Sequence, residues 1–345
     1  MFYCEWQSME SDHLDREDPS PGKRPADPRQ TVAAAIRRWG RVLTFLLMLA
    51  VIAGQFGAQH LYLDLFSHFQ LQYVACSLIL LTVLVGLRSF KWAALASSLL
   101  IWTSWLVIPW YLPRHAPPQS DTNLRLMLVN VLQSNTHYED VVSQIEQVDP
   151  DVVVLQEINQ TWLDNLQSLS DGRPFNIHVP GGVLRGMAIF SRFPLDDLRS
   201  EEFGDRMTPS VIATLTVNET SVSLLATHPW PPSSEFDYRA RNKQLEQVGQ
   251  FMANQPDPRI LIGDLNLSMW SPHYEKLIST AGLKNVRRGF GVLPSFPMDS
   301  LRLIRVPIDH CLVSRDIAVA DCRLGEVMGS DHASLIVDLV IPVAK

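Results

Sequence analysis

The chain has 345 residues, of which 46% are hydrophobic and 19% charged, and its formal net charge is −7. This length leaves room for one large domain or two ordinary ones. From residue 120 onward there are 19 basic and 28 acidic residues, a net charge of −9, which excludes the overall basic footprint of most nucleic-acid-binding domains. A local basic patch is not excluded, and its candidates are Arg287, Arg288, Arg302 and Arg305.

The N-terminal stretch is polar and rich in Asp, Glu and Pro. It lacks the apolar content that would offset the entropy cost of folding, and it lacks the early apolar core of a secretory signal. The sequence therefore predicts a disordered tail over residues 1–36.

Three apolar segments follow the tail, at about residues 40–58, 71–87 and 92–112. The last two carry no Asp, Glu, Lys or Arg and are near the length that spans a bilayer. The first holds Gln55, so an interfacial or buried helix is its second interpretation. Trp92, Trp110 and Tyr111 near the ends of the third segment suit an aromatic belt. We predict a membrane region over residues 37–112 with about three transmembrane helices; buried helices of a soluble protein are the alternative.

Five basic residues lie at the start of the first segment and in the connection between the second and third, whereas the connection at 59–70 has no Lys or Arg. They are Arg37, Arg38, Arg41, Arg88 and Lys91. Because Lys and Arg collect in cytoplasmic loops, this pattern places the N-terminus inside and everything after about Pro113 outside. In a bacterium, it predicts a multi-pass inner-membrane protein with an extracytoplasmic C-terminal domain.

Two cysteines, Cys311 and Cys322, lie in the part predicted to be exported, where disulfides persist. Both are in apolar alternating stretches that could form paired strands. Their spacing leaves two interpretations open, a disulfide or two small buried residues.

After a Pro-rich linker at 113–120, predicted strands and helices intersperse through a domain over residues 121–345. Strands are predicted at 124–132, 151–157, 186–192, 210–217, 221–228 and 259–266, and in three apolar stretches that end the chain. Helices are predicted at 138–149, 161–169, 237–255 and 273–282. Helices between strands that mostly form hairpins indicate an α/β sandwich of two packed, mainly antiparallel sheets flanked by helices.

Polar side chains collect where the apolar runs of this domain stop. They are Asn130, Glu157, His228, Asp264 with Asn266, Asp309 with His310, and Asp331 with His332. Any one of them alone is typical of a cap or turn, but six such strand ends in one domain indicate a site. Carboxylate and carbonyl oxygens favour Mg²⁺ or Mn²⁺ over Zn²⁺, so we predict one of these two ions as the cofactor.

Six stretches resemble, in chain order, the motifs of the endonuclease/exonuclease/phosphatase superfamily: "VNVL", "VVVLQE", "ATH", "LIGDLN", "PIDH" and "GSDH". The resemblance covers about residues 120–342. It implies a four-layered α/β-sandwich and metal-dependent cleavage of phosphoesters. With the apolar segments in front, the chain looks like a membrane-anchored bacterial branch of the superfamily.

The resemblance also implies a metal site. Glu157 is expected to be the main metal ligand, with Asn130 beside it and Asp331 completing the site or its surroundings. Many nucleases of the superfamily carry an Asp shortly after the position of Asn130. This chain has Val131, Leu132 and Gln133 there, which puts a second metal position in doubt.

The resemblance implies five catalytic positions. Asp264 is expected to orient or deprotonate the attacking water, and Asn266 to donate a hydrogen bond to a phosphoryl oxygen. His332 is expected to contact the scissile phosphate, and Asp309 to orient His332. His228 is expected to donate to the phosphate from the opposite wall.

Four other residues are further candidates for the site. His310 is either a neighbour of the site or a strand residue, and we favour the strand residue. Arg192 and Arg241 are candidate phosphate contacts, although Arg241 fits better as a cap or pair on a helix surface. Trp230 either stacks on substrate or lipid, or packs its own loop.

The substrate is left open by these patterns. The leading interpretation is a nuclease-like phosphodiesterase, and the alternatives are a phospholipid phosphodiesterase or phosphatase and a catalytically silent binding domain. The expected partners are a phosphoester substrate, nucleic acid or phospholipid, and the lipid bilayer; no protein partner is inferable.

Overall fold

The structure is a computed structural model that describes residues 28–113, 122–180, 186–206 and 208–343. Most of the predicted tail and the linker fall outside these ranges. The chain is already helical from Pro28, so the prediction of a disordered tail is wrong for residues 28–36. Alanine is the strongest helix former, and the run Ala33–Ala35 favours helix there in spite of the polar surroundings.

Four helices form the N-terminal region: α1 (Pro28–Gln55), α2 (Leu61–Ser67), α3 (Gln70–Gly86) and α4 (Phe90–Val107). In the described residues one segment, Phe90–Trp110, is long and apolar enough to cross a membrane, and α2 with α3 could form a second, bent by 65°. About three transmembrane helices are therefore not supported. In α1 the stretch between Arg41 and Gln55 would extend only about 20 Å, less than the roughly 30 Å of a hydrocarbon core.

The two ends of this helical region differ in what they contact. At the end that holds α2, the Trp270 indole donates a hydrogen bond to the Leu106 carbonyl at 3.1 Å. At the far end, Arg41 donates to the Ser89 hydroxyl at 3.2 Å. The C-terminal domain thus sits against one end of the helices, and the basic residues of α1 and of the α3–α4 turn lie at the other.

Twelve strands in the described residues form two six-stranded sheets. The strands are β1 (Leu124–Asn130), β2 (Val152–Ile158), β3 (Phe175–Val179), β4 (Gly186–Ser191), β5 (Leu195–Phe203), β6 (Thr208–Val217), β7 (Thr220–Thr227), β8 (Arg259–Asp264), β9 (Lys284–Asn285), β10 (Asp309–Val313), β11 (Ala318–Leu324) and β12 (Leu335–Val340). The first sheet has the order β11-β12-β1-β2-β4-β3 and the second β5-β6-β7-β8-β10-β9. Only β1–β2 and β7–β8 pair in parallel among these neighbours.

The domain helices lie on the outer faces of the two sheets. They are α5 (Tyr138–Val148), α6 (Gln160–Asn165), α7 (Leu169–Gly172), α8 (Glu235–Ala253) and α9 (Pro272–Ala281). One core fills the space between the sheets, and it includes Leu126 and Ile262. Two further cores join each sheet to its helices, one through Trp162 and the other through Leu245. The four-layered α/β-sandwich is thus confirmed.

The sequence predicted the central strands well and missed β3, β5 and the two-residue β9. β5 carries the charged sequence "LDDLRSEEF" at the edge of its sheet, where most of its side chains are exposed and only Leu195, Leu198 and Phe203 pack on a core. An edge strand needs no apolar alternation to pair, so periodicity cannot find it.

The cysteines of the domain are free and buried. Cys311 lies on β10 and Cys322 on β11, so they belong to opposite sheets and not to paired strands. Burial raises the pKa of both thiols, that of Cys322 to about 12. The structure therefore agrees with the second interpretation of the sequence, two small buried residues, and not with a disulfide.

Gly263, just before the end of β8, occupies a position that only glycine fits. Its φ is +155°, and a Cβ there would lie 1.8 Å from the Thr227 carbonyl oxygen and 2.9 Å from Gln156 Nε2. We expect Gly263→Ala to lower the free energy of unfolding by about 3 kcal/mol, because the β7–β8 contact must open. Denaturant unfolding of the detergent-purified protein measures this. Gly172→Ala is the control, since nothing lies within 4 Å of its added Cβ; equal stability of the two variants would contradict the prediction.

Candidate active site

The polar strand ends predicted from the sequence meet at one edge of the sandwich. Parallel neighbours share their C-terminal edge, which brings Asn130 on β1 beside Glu157 on β2. In the second sheet His228 follows β7 and Asp264 ends β8. Asp309 opens β10 directly opposite Asp264 in the antiparallel register. The strands involved lie in the middle of each sheet, where their positions are fixed on both sides.

One carboxylate oxygen, Oδ2 of Asp264, is where these groups converge. It lies 3.3 Å from Asn130 Nδ2, 3.5 Å from His228 Nε2 and 3.7 Å from His332 Nε2. The other oxygen, Oδ1, accepts the backbone N–H of Asn266 at 2.9 Å. Asp264 is buried and surrounded by donors from both sheets, so its carboxylate is held in one orientation.

These donors decide the charge of Asp264. Burial alone would raise its pKa, but the hydrogen bond from His228 and the positive charge of His332 outweigh burial and lower the pKa to about 2. The group is therefore ionised at neutral pH. Because so acidic a group is a weak proton acceptor, the geometry favours Asp264 as the residue that orients water.

Glu157 reaches the site through a local irregularity of β2. The β2–β4 register shifts between Gln156 and Ile158, and Glu157 itself has φ +62°. A bulge of this kind re-aims a side chain, and left-handed backbone at a non-glycine residue costs of order 1–3 kcal/mol. The carboxylate remains partly exposed, and its Oε1 lies 3.9 Å from His228 Nε2.

Asn130 holds two carboxylates in place. Its Nδ2 donates to Glu157 Oε1 at 2.9 Å and lies 3.3 Å from Asp264 Oδ2. Its Oδ1 accepts the Leu132 backbone N–H at 3.1 Å. The amide nitrogen thus faces the acidic groups, and the oxygen that a cation would need is used by the following turn.

His332 and Asp309 form a buried pair on the far side of the site. His332 Nδ1 lies 2.9 Å from Asp309 Oδ2, and the backbone N–H of His332 donates to the Ser330 hydroxyl. Burial lowers the pKa of His332, but Asp309 and Asp264 raise it to about 10. The imidazole is therefore protonated at neutral pH, with Nε2–H directed at the centre of the site. The Phe296 ring packs at 4.7 Å from the His332 ring.

This pair makes stability depend on pH. The pKa of His332 is higher in the folded state than the roughly 6.5 of an unfolded histidine, so its stabilisation is complete below about pH 6.5 and is lost as the pH rises through about 10. We expect the melting temperature in EDTA to fall over this window, and to fall less in Asp309→Asn, which lowers the folded pKa. Parallel melting curves of wild type and variant across pH 6.5–10 test this; identical slopes would contradict it.

The remaining predicted residues also lie at this edge. Asn266 has φ +53°, and its Nδ2 donates to the Pro229 carbonyl at 3.0 Å, which leaves a second N–H. Asp331 is half-buried; burial raises its pKa, His332 lowers it and Glu157 raises it, with a net rise. Its carbonyl accepts the Met298 N–H at 2.7 Å.

His310 is not part of the site. It is fully buried behind it, with Nε2 2.9 Å from the Leu267 carbonyl and Nδ1 3.2 Å from Asn285 Nδ2. The favoured interpretation, a strand residue, is therefore confirmed. Arg192 pairs with Asp149 and Asp151 and does not reach the site.

The candidate basic patch does not form as a unit. Arg287 is fully buried and bonded to the Asp309 carbonyl, and the guanidinium of Arg288 lies 5.5 Å from the Trp110 ring. Trp230, the remaining candidate, has the Arg206 guanidinium over its ring, 4.6 Å from the ring centroid.

Two supporting residues were missed by sequence reasoning. Gln156 is fully buried; its Oε1 accepts the Asp264 N–H and its Nε2 donates to the Thr227 carbonyl, both at 2.9 Å, which ties the two sheets together at the site. A glutamine inside the apolar run "VVVLQE" is a signal that could have found it. Ser330, whose hydroxyl donates to the Asn130 carbonyl at 2.7 Å, lies in the motif "GSDH", whose serine was given no role.

Arg241 lies inside the protein and not on a helix surface. Its Nη2 pairs with Asp64 of α2 at 2.7 Å, and its Nη1 donates to the Asn266 carbonyl at 2.8 Å. Both side chains of the pair are buried. The expected surface cap is wrong because α2, which the sequence did not predict, covers this face of α8.

The sequence pattern of the Endonuclease/Exonuclease/phosphatase family matches residues 123–332, more than half of the chain. The chain belongs to this family. Its members are metal-dependent phosphoester hydrolases. The matched range contains every predicted site residue from Asn130 to His332. Among curated proteins, no sequence matches this chain.

Solved structures share the fold. A family member from Bacteroides vulgatus is 17% identical, with a TM-score of 0.54 over 65% of this chain and 100% of that one. A humanized TDP2 of D. rerio is 18% identical, with a TM-score of 0.53 over 63% of this chain and 98% of that one. A family member from Beutenbergia cavernae is 20% identical, with a TM-score of 0.50 over 64% and 72%. In each case about a third of this chain has no counterpart.

Proposed function

We propose that this protein is a membrane-anchored, divalent-metal-dependent phosphodiesterase. The observation that carries the proposal is the contact between the ionised carboxylate of Asp264 and the protonated imidazole of His332, whose Nε2 lies 3.7 Å from Oδ2, beside the partly exposed carboxylate of Glu157. A phosphodiester needs both kinds of group, one to direct water at phosphorus and the other to stabilise charge on the phosphoryl oxygens.

The acidic side of the site fits a hard cation. Glu157 and Asp331 both contribute negative charge here. The pKa of Asp331 is raised, and a positive ion nearby would lower it by stabilising the ionised carboxylate. Asp264, Asp309 and His332 also offer ligand atoms within 4.8 Å of one another. His332 and Asp309 already share a proton, so we assign the ion to Glu157 with Asp331, and Asn130 holds Glu157. Mg²⁺ or Mn²⁺ bound there would act as a Lewis acid on the phosphoryl oxygens.

The other side chains would orient water and stabilise charge. Asp264 accepts a hydrogen bond from water and fixes its direction of approach. His332, held by Asp309, donates from Nε2 to a phosphoryl oxygen, and Asn266 adds its free N–H. In the balanced reaction the water oxygen bonds to phosphorus and one ester P–O bond breaks. One proton of water ends on the leaving alcohol and the other is released to solvent.

Membrane attachment rests on the helical region. Of the 30 large hydrophobic side chains that are exposed in the described residues, 23 lie between residues 32 and 112. Soluble monomers rarely expose apolar surface on this scale. We propose that α4 spans the bilayer, with the other helices packed beside it. The domain would then lie on the side opposite the basic residues, which is extracytoplasmic for a bacterial inner-membrane protein.

Two substrate classes follow from the family. The leading interpretation of the sequence is a nuclease, and TDP2 of D. rerio, which shares the fold, has been solved with a single-strand DNA product. The second is a phospholipid phosphodiesterase or phosphatase. A catalytically silent binding domain is less well supported, because a pure scaffold has no need to keep both Glu157 and Asn266 in left-handed backbone.

The test uses the full-length protein in detergent with bis(p-nitrophenyl) phosphate. We expect hydrolysis with Mg²⁺ or Mn²⁺, loss in EDTA, and loss of about 10²-fold or more in Glu157→Gln. Glu246→Gln is the control, since Glu246 pairs with Lys276 on an exposed face. Metal-independent hydrolysis, or equal rates for the two variants, would contradict the proposed function.

A further inference from the structure

The loop between Phe296 and Val306 connects the candidate active site to the helical region. At its start, the Phe296 ring packs on His332, and the Met298 N–H donates to the Asp331 carbonyl at 2.7 Å. At its end, the Gln72 side chain in the first turn of α3 donates to the Arg305 carbonyl at 2.8 Å. The loop is thus fixed at both ends, one at the site and one at the helices.

The tip of this loop carries adjacent apolar side chains in solvent. Leu301, Leu303 and Ile304 are 74%, 73% and 47% exposed; Leu301 directly precedes a short 3₁₀ turn at Arg302–Ile304, and the other two lie within it. Arg302 is exposed between them, without an ion-pair partner in the part of the chain that the structure describes. The Arg305 guanidinium donates to the Met298 carbonyl at 2.9 Å, which holds the loop in this shape.

This composition is typical of a segment that meets a lipid surface. Apolar side chains enter the region between headgroups and acyl chains, while a neighbouring arginine contacts anionic headgroups. The position of the loop supports the same partner, because Gln72 joins it to the end of the helices that faces the domain. A bilayer crossed by α4 would have its surface at that end, where α4 passes into the domain through Trp110.

We propose that the segment 298–304 lies in the surface of the bilayer that holds α4, and that the substrate is a phospholipid whose phosphodiester enters the site from that surface. This inference rests on the proposed function and names its substrate class. The path from the bilayer surface to the site is short, since Met298 and Phe296, which lie between the loop tip and the site, contact Asp331 and His332. The net charge of −9 over residues 120–345 agrees, because a phospholipid presents one or two charges and a nucleic acid a long row of them.

The test compares substrates and loop variants in the full-length protein. Wild type, Leu301→Ser/Leu303→Ser and a control double variant are reconstituted into vesicles of phosphatidylethanolamine and phosphatidylglycerol. The control is Phe175→Ser/Val343→Ser, which removes two exposed hydrophobic side chains elsewhere on the domain, 40% and 73% exposed. Each protein is assayed for lipid hydrolysis, single-stranded DNA hydrolysis and bis(p-nitrophenyl) phosphate hydrolysis.

We expect wild type to hydrolyse the phospholipid faster than DNA. The loop variant should lose about tenfold or more on vesicles, since two leucines no longer enter the lipid, and should keep its rate on bis(p-nitrophenyl) phosphate within about twofold. The control should behave as wild type on all three substrates. Because α4 still anchors the loop variant, this loss reports access of the lipid to the site and not binding of the protein to the vesicle.

The outcomes separate the inference from the proposed function. Hydrolysis of the soluble diester without hydrolysis of phospholipid, faster hydrolysis of DNA, or an unchanged lipid rate in the loop variant would each overturn the lipid substrate and leave the phosphodiesterase standing. A wild-type protein that hydrolyses none of the three substrates with Mg²⁺ or Mn²⁺ would overturn the proposed function and the inference with it.

Discussion

Asp264→Asn is expected to lower kcat on a phosphodiester by about 10²-fold or more, because the attacking water loses the group that orients it and a small misplacement of a reacting group can cost that much. The side chain loses its negative charge. If the amide nitrogen takes the place of Oδ2, its N–H groups face other hydrogen-bond donors and find no acceptor. Oδ2 of Asp264 now lies within 3.3–3.7 Å of nitrogen atoms of Asn130, His228 and His332. Steady-state kinetics at saturating Mg²⁺ measures the change.

The control for this prediction is Asp205→Asn. Asp205 is an exposed partner of Lys243 and makes no contact with the site, so its variant should keep wild-type kcat. Melting temperatures of both variants distinguish lost chemistry from lost folding. A kcat for Asp264→Asn within tenfold of wild type, with folding retained, would remove Asp264 from the reaction.

Arg241→Met is expected to destabilise the protein by about 3–5 kcal/mol, the cost of leaving one member of a buried ion pair without its partner. Asp64 would remain buried beside an apolar side chain, with Ser271 as a remaining hydrogen-bond donor at 2.7 Å. The Asn266 carbonyl would also lose its donor, so we expect activity to fall more than the fraction of unfolded protein explains. Thermal unfolding in detergent and kinetics below the transition measure the two effects.

The matched control is Arg239→Met on the same helix. Arg239 is exposed and pairs with Glu235 one turn away, where water screens the interaction. Its variant should melt close to wild type and keep full activity. Equal melting temperatures for the two variants would show that the Asp64–Arg241 pair does not join the helical region to the domain.

The periodic parts of the fold were predictable because buried strands and helices leave an apolar pattern. The central strands β1, β2, β7 and β8 were found within a few residues of their bounds. The polar residue at each strand end was also visible, since a charged or amide side chain stands out where an apolar run stops. β3, β5 and α2 escaped because short or exposed elements carry little of that pattern.

Membrane topology was predicted less well. Hydropathy correctly located the helices α1, α3 and α4 but overstated how many could cross a bilayer, since one segment meets the requirement of length and composition. The first apolar segment belongs to a helix whose polar residues leave too short an apolar stretch. Apolar content alone cannot distinguish a spanning helix from one that packs beside it.

The sequence by itself determined the layered α/β architecture, the family and the set of polar strand ends, because each depends on residue types at fixed spacing. Only the tertiary structure decided what those residues contact. It placed the Asn130 amide on Glu157, brought His332 onto Asp309, buried Arg241 against Asp64, and set an apolar loop between the site and the helices. These contacts join residues far apart in the chain, and pairwise geometry of this kind leaves no local pattern for a sequence to show.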